Sequence, residues 1–168
     1  HQGQAATGLV KKISFLSLTN ASAIQVRGEI QSPTPMTLTL TENQISTLEI
    51  TLSPQSLKTG LTLRDQHMIE KIFQNADKAI PPLVFKLTTP FTLDGNENTL
   101  TGTLTIRGQT HTFSPRCKGK VLKASTIKIK CVGNIDLTQY AIEPPSHLGV
   151  KVKPIVQILL ETESALTP

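Results

Sequence analysis

Strict two-residue alternation of apolar and polar side chains recurs along this chain and constrains its fold more than any other feature. Thr37-Leu38-Thr39-Leu40-Thr41, Thr47-Leu48-Glu49-Ile50-Thr51-Leu52 and Leu100-Thr101-Gly102-Thr103-Leu104-Thr105-Ile106 all carry it. So does Ile127-Lys128-Ile129-Lys130-Cys131, and Val150-Lys151-Val152-Lys153 leads into Val156-Gln157-Ile158. A period of two places alternate residues on opposite faces of an extended strand, one buried and one wet. Less regular strands are predicted around residues 13–18, 24–30, 83–93, 110–117 and 134–137. Asp94-Gly95-Asn96 and Arg107-Gly108-Gln109 read as tight hairpin turns, while Ser32-Pro33-Thr34-Pro35 and Pro144-Pro145 read as loops or bends. No strand–helix–strand repeat is present, so the chain is all-β and antiparallel, closed as a barrel or folded as a sandwich.

One segment departs from this pattern. Met68, Ile69, Ile72 and Phe73 fall at helical spacing, which predicts a short helix near residues 63–75, beginning around Thr62. Thr62 and Asp65 stand in the relation of a capping box, and Asp65 could itself be the N-cap. Such a helix needs an apolar surface beneath it, and the mouth of a barrel supplies one.

The 168 residues make one domain (1–168), with 38% hydrophobic and 17% charged residues, which excludes a coiled coil or a charged disordered tail. No apolar run is long enough for a membrane-spanning helix. The net charge is +5, but five Phe, one Tyr and no Trp leave almost nothing for bases to stack on, so no nucleic-acid partner is expected. Position 1 is His rather than Met, and we expect an upstream secretory leader to have been removed, although a purification-tag remnant would look the same.

Catalytic and metal motifs are missing. His1, His67, His111 and His147 are scattered, with no H-x-x-x-H or C-x-x-C spacing, so no metal site is expected; chelation of copper by His1 is a weak separate reading. There is no nucleophile elbow, phosphate loop or dinucleotide fingerprint, and Asp136 and Glu143 are not paired in sequence. The chain therefore reads as a non-enzyme without a cofactor. Arg64, Asp65 and His67 at the helix start read first as a hydrogen-bonded structural cluster and only second as chemistry.

Cys117 and Cys131 are more informative. Residues 110–117 and 126–131 look like two arms of a hairpin; if the turn centres on Ala124, the two cysteines lie directly opposite one another, facing inward with Phe113, Ile127 and Ile129. A disulfide is the expected state in an oxidising compartment. The same register sets Lys118 opposite Lys130 and Lys120 opposite Lys128, and with Arg116 and Lys123 the hairpin carries six positive charges and no negative one. Like charges across a ladder repel. This face is either solvated edge protection or meets something anionic, such as a lipid headgroup or an acidic membrane surface.

The inward faces are aliphatic: Leu38, Leu40, Leu48, Ile50, Leu52, Leu83, Phe85, Leu87, Leu104, Ile106, Phe113, Ile127, Ile129, Ile158 and Leu160, joined by Met68, Ile72 and Phe73 from the helix. A small barrel lined this way is either packed solid or holds one apolar ligand.

Two stretches resemble a known family. Ser56-Leu57-Lys58-Thr59-Gly60, Leu63-Arg64-Asp65-Gln66-His67-Met68 and then Pro82-Leu83-Val84-Phe85 resemble the central signature of the YceI-like family. Leu100 to Thr110 is similar to the family's G-x-L-T-I-R-G-x-T hairpin, and Tyr140-Ala141-Ile142 with Leu148-Gly149-Val150 through Val156 resembles its closing segment. The resemblance spans a core of about residues 13–163. It departs from the family pattern in the first strands, where Val26-Arg27-Gly28-Glu29-Ile30 keeps only the glycine, and in the cysteine pair. It implies an extended, antiparallel, eight-stranded lipocalin-like barrel with a helix near one end. It also implies a periplasmic or secreted carrier without catalysis, holding a polyisoprenoid, isoprenoid quinone or fatty-acid-like lipid in its interior. Headgroup contacts would come from Arg64 and His67 or from Lys118 and Lys120. The alternative is a ligand-free barrel that docks through its basic surface onto a membrane or protein partner. Pairing of two copies as a homodimer is left open.

Overall fold

A computed structural model describes residues 3–168; His1 lies outside the described residues, and the copper reading with it. The alternating segments become strands of two antiparallel sheets whose apolar faces meet. The first sheet holds, in spatial order, β1 (Gln4–Val10), β4 (Thr34–Thr41), β5 (Gln44–Leu52), β7 (Leu83–Leu87), β10 (Gly102–Ile106) and β11 (Gln109–Phe113), with β8 (Phe91–Thr92) also on β5. The second runs β6 (Leu57–Lys58), β3 (Gln25–Ile30), β2 (Lys12–Thr19), β15 (Val150–Ala165), β13 (Thr126–Asp136), β12 (Arg116–Val121) and β9 (Asp94–Thr99), with β14 (Ser146–His147) paired to β15. Threonines knit the wet faces: Thr47 Oγ1 donates to Thr39 Oγ1 at 2.7 Å, and the Thr105 and Thr110 hydroxyls lie 2.7 Å apart.

One continuous ladder around a ring was expected, and the described strands instead form two sheets. The seam between β1 and β15 shows how they meet. β15 is laddered to β2 only as far as Glu161, opposite Lys12. Beyond that point hydroxyls on its buried face take over. Lys11 N donates to Thr162 Oγ1 at 3.3 Å, Leu9 N donates to Ser164 Oγ at 3.0 Å, and the Thr162 hydroxyl donates to Leu9 O. Thr7 and Thr167 then exchange backbone bonds of 2.7 and 2.9 Å.

Several local expectations are corrected. Asp94-Gly95-Asn96 is no hairpin turn: it opens β9, Gly95 has φ +82°, and the register of β9 on β12 shifts between Lys118 and Lys120. The tight bend is thus absorbed as a bulge inside a strand. Residues 83–93 are broken before Phe91 at Pro90, with β8 beyond the break still on the first sheet, and residues 110–117 are broken at Pro115, where the chain leaves the first sheet for the second. Residues 127–131 and 134–137 instead merge into the single strand β13 as far as Asp136. β1 was not foreseen.

The helix is in the expected place, as α1 (Thr62–Met68) continued by a π turn, Ile69–Phe73, in which Gln74 N reaches back to Ile69 O at 2.9 Å. Its start differs from the expected capping box. Leu61 occupies the N-cap without a side-chain bond, while Asp65 Oδ1 accepts from Thr59 N and Thr59 Oγ1 at 2.7 and 2.6 Å. Asp65 therefore fixes the loop before the helix.

The β12–β13 hairpin has the register read from the sequence. Ala124 and Ser125 turn at φ 53° and 59°, Cys117 faces Cys131, and the sulfurs are bonded at 2.05 Å. Both φ values are positive, as a two-residue turn matching the strand twist requires. Replacing both cysteines by alanine should lower unfolding free energy by about 3 kcal/mol, the chain-entropy value for a loop of this length. Urea titration of oxidised protein checks this, and an unchanged midpoint would count against the bridge. Thr162→Val should cost roughly 1–3 kcal/mol by orphaning the backbone of Leu9 and Lys11, read in the same titration.

Candidate functional site: an apolar cavity between the sheets

The buried side chains form two clusters with unfilled space between them. One cluster, at the disulfide end, includes Leu38, Ile45, Phe91, Leu93, Ile127 and the Cys117–Cys131 bridge. The other lies under α1 and the Leu137–Tyr140 turn, and includes Leu52, Met68, Phe73, Leu104, Ile106, Tyr140 and Val156. Between them is a cavity of about 200 Å³. Fourteen of the inward residues named from sequence line it: Leu48, Ile50, Leu52, Met68, Ile72, Phe73, Leu83, Phe85, Leu104, Ile106, Phe113, Ile129, Ile158 and Leu160.

Four others do not. Leu38 and Ile127 are buried in the disulfide-end cluster, and Leu40 and Leu87 pack against it. They face inward as the alternation requires, but at a level where Phe91, Leu93 and the bridge already fill the space. The cavity also uses residues that the alternation did not single out, among them Val10, Ile13, Phe15, Met36, Leu57 and Val156, together with Ser14 and Ser17. Ile13, Phe15 and Ser17 share one face of β2. Gly28 beside them has no Cβ because one would run into the Phe15 ring.

The proposed headgroup residues divide into two groups. Arg64 is at the helix end, where its Nε donates to Thr59 Oγ1 at 2.9 Å and its Nη2 to Thr59 O at 2.8 Å. With Asp65 on the same threonine, Arg64 belongs to a loop clasp, and His67 follows it on α1. Lys118 and Lys120 do not join the cavity: they are exposed, on the outer face of β12.

The basic hairpin is also not a bare positive face. Lys118 lies between Glu97 and Lys130, and Lys130 lies between Lys118 and Glu161, with a 3.4 Å ion pair to Glu161. Lys120 and Lys128 are flanked in the same way by Asp94 and Glu163. The neighbouring strands supply the acids that the hairpin lacks, and the repulsion across its ladder is offset. Among the described residues no three His, Cys, Asp or Glu side chains are grouped to hold a metal ion.

Tyr140 closes the helix end. It is 2% exposed and meets the His111 ring edge to face at 4.8 Å, while Arg107 Nη2 holds the following carbonyl, Ala141 O, at 2.9 Å. Burial pushes the Tyr140 phenol above its ordinary value near 10. The unfolded chain then loses this proton first as pH rises. The stabilisation is whole below about pH 10 and is lost as pH climbs toward the folded-state value. Tyr140→Phe should flatten the alkaline limb of stability against pH. An identical limb in the variant would assign it to other groups.

A family model for the YceI-like domain matches residues 10–164. No curated protein matches the chain in sequence. Among solved structures, a polyisoprenoid binding domain from Saccharophagus degradans implicated in plant cell wall breakdown is similar at TM-score 0.71 and 12% identity, over 98% of this chain and 100% of that one. Burkholderia cenocepacia BcnA is similar at 0.72 and 18%, over 92% and 95%. The Campylobacter jejuni YceI protein is similar at 0.65 and 18%, over 85% of each chain. At these identities the likeness is one of fold, and the family assignment rests on the match across nearly the whole sequence: this chain belongs to the YceI-like family.

Proposed function

We propose that this protein is a non-catalytic carrier whose cavity takes the long apolar chain of an amphiphilic lipid or isoprenoid. The observation that supports this reading is the cavity itself, which is lined almost entirely by carbon between two well-packed clusters. Transfer of such a chain out of water is worth about 0.8 kcal/mol per CH₂ buried, so length of tail would set affinity. The Saccharophagus degradans domain of similar fold is described as polyisoprenoid binding, which favours an isoprenoid, including a quinone tail, within the broader class. In this reading the two sheets act together as a barrel-like envelope, and the polar headgroup sits at the helix end, near Arg64 and His67. Work in the periplasm or outside the cell is part of the proposal and suits an oxidised cysteine pair.

The alternative, a ligand-free module docking through its basic surface, is less well supported. Its interior would be packed, and its lysines would not be interleaved with Glu97, Glu161, Asp94 and Glu163.

Native mass spectrometry of freshly purified protein, with lipid analysis of its organic extract, tests the carrier. One long-chain adduct per chain is expected, and the same spectrum reports any dimer. Leu104→Trp or Ile129→Trp should fill the cavity and abolish the adduct while circular dichroism stays native. No adduct even after incubation with polyprenyl and fatty-acid chains would reject the carrier in favour of the docking module.

A further inference from the structure

Five polar residues are buried in the described structure: Ser17, Thr19, Thr34, Thr162 and Ser164. Four have hydrogen-bonded hydroxyls. Thr19 Oγ1 donates to Ile24 O at 2.7 Å, Thr34 Oγ1 donates to Thr51 O at 3.2 Å, and Thr162 and Ser164 hold β1. Ser17, at 6% exposure, has no side-chain hydrogen bond among the described residues. Its oxygen is not sealed off: among the described residues the buried polar side-chain atom left without a partner is His111 Nε2, so the Ser17 hydroxyl keeps open surface and can bond to something beside it.

The position of Ser17 suggests what would satisfy it. It lines the cavity, on the same face of β2 as Ile13 and Phe15. Apart from Ser14, which stands on the opposite parity of β2, every other lining side chain ends in carbon or sulfur. Ser17 pairs with Val26 on one side and Val156 on the other, and the β15 ladder slips between Val152 and Val156 just beyond it. It therefore lies toward the Thr19 end of β2, whereas Leu100, Ile129 and Cys131 line the cavity toward the disulfide.

We infer that Ser17 is the polar anchor of the cavity and selects a chain carrying an oxygen function (a hydroxyl, carbonyl or ester) over a bare hydrocarbon. The oxygen meets Ser17 and the tail runs toward the Cys117–Cys131 bridge. This inference rests on the carrier reading, but it names the oxygen function and the residue that meets it, which the carrier reading leaves open.

The test uses the full chain and a fluorescent occupant, N-phenyl-1-naphthylamine, displaced by 1-decanol or by undecane, which has the same number of heavy atoms. Comparing the decanol-to-undecane affinity ratio between variants cancels the difference in their solubilities. In Ser17→Ala that ratio should fall by roughly fivefold to tenfold, the size of one net hydrogen bond. Ser17→Thr, which keeps the hydroxyl, should hold the ratio near wild type. The melting temperature of Ser17→Ala should not drop, because no bond within the protein is lost. An unchanged ratio with both alkyl compounds displacing the probe would overturn the anchor and leave the carrier standing. A lower melting temperature would give the hydroxyl a structural partner and overturn it as well. If neither compound displaces the probe in any variant, the carrier and the anchor fall together.

Discussion

The long strand β15 is the constraint on which the rest of the molecule depends. It is laddered to β13 from Ile155 to Ala165 and to β2 from Val152 to Glu161, so the second sheet is organised around it. Its buried face changes character part of the way along. Val156, Ile158 and Leu160 line the cavity, and the next two inward residues, Thr162 and Ser164, are hydroxyls bonded to the backbone of β1. One alternating face thus provides a wall of the cavity and then the stitching that brings the first sheet against the second. An aliphatic residue at 162 would extend the wall but leave the part-buried backbone groups of Leu9 and Lys11 without these partners, which costs more than the added apolar contact returns.

The cavity persists because the two ends are filled differently. At the disulfide end Phe91, Leu93 and Leu100 are each 3% exposed and pack around the bridge. Further toward the helix the interior is lined by branched aliphatics and four phenylalanines, Phe15, Phe73, Phe85 and Phe113. Phe15 can lie flat only because Gly28 offers no Cβ, and Phe85 meets the same allowance at Gly102. Phe85 and Phe113 pack edge to face at 6.2 Å, lining the space without crossing it. Rings drawn back against glycine leave a smooth hollow, whereas rings directed inward would have filled it. A protein selected only for stability would gain by closing such a hollow, since lost van der Waals contacts make empty volume unfavourable.

The fold class could be read from the sequence wherever a strand buries one face, as the segments around Leu38, Leu48, Leu104 and Ile129 do. β9 escaped notice because Asp94–Thr99 buries no residue, so there was no alternation to detect, and Asp-Gly-Asn looks like a turn. β1 escaped because Ala6 and Gly8 dilute its inward face while the larger Leu9 points outward. For the cavity, alternation told which face a residue occupies but not at what level along the strand. Leu38 and Leu48 are equally inward and cross-strand partners, yet Leu48 lines the cavity and Leu38 does not. That difference depends on which residues from distant strands occupy the same level, and Phe91 and Cys117 reach that level only through the tertiary fold. Ser17 was missed for the opposite reason: a serine in a strand predicts a wet face, and only its burial beside Phe15 reveals that it faces the hollow.

The charges show the same limit of local reading. Counted within one hairpin, Arg116, Lys118, Lys120, Lys123, Lys128 and Lys130 make a strongly positive strip. Counted across the sheet, Glu97–Lys118–Lys130–Glu161–Lys12 is a single row of five residues, and Asp94–Lys120–Lys128–Glu163 is another of four. The first row sums to one positive charge and the second to none, and each lysine has an acid as one of its two neighbours. Exposed pairs of this kind contribute little stability individually, but together they weaken the field that the hairpin alone would project. The outer face is then less positive than the hairpin read by itself, with Arg116 and Lys123 outside the two rows. The physical asymmetry of this molecule lies inside it, between a packed, bridged end and a carbon-lined hollow with Ser17 on its wall.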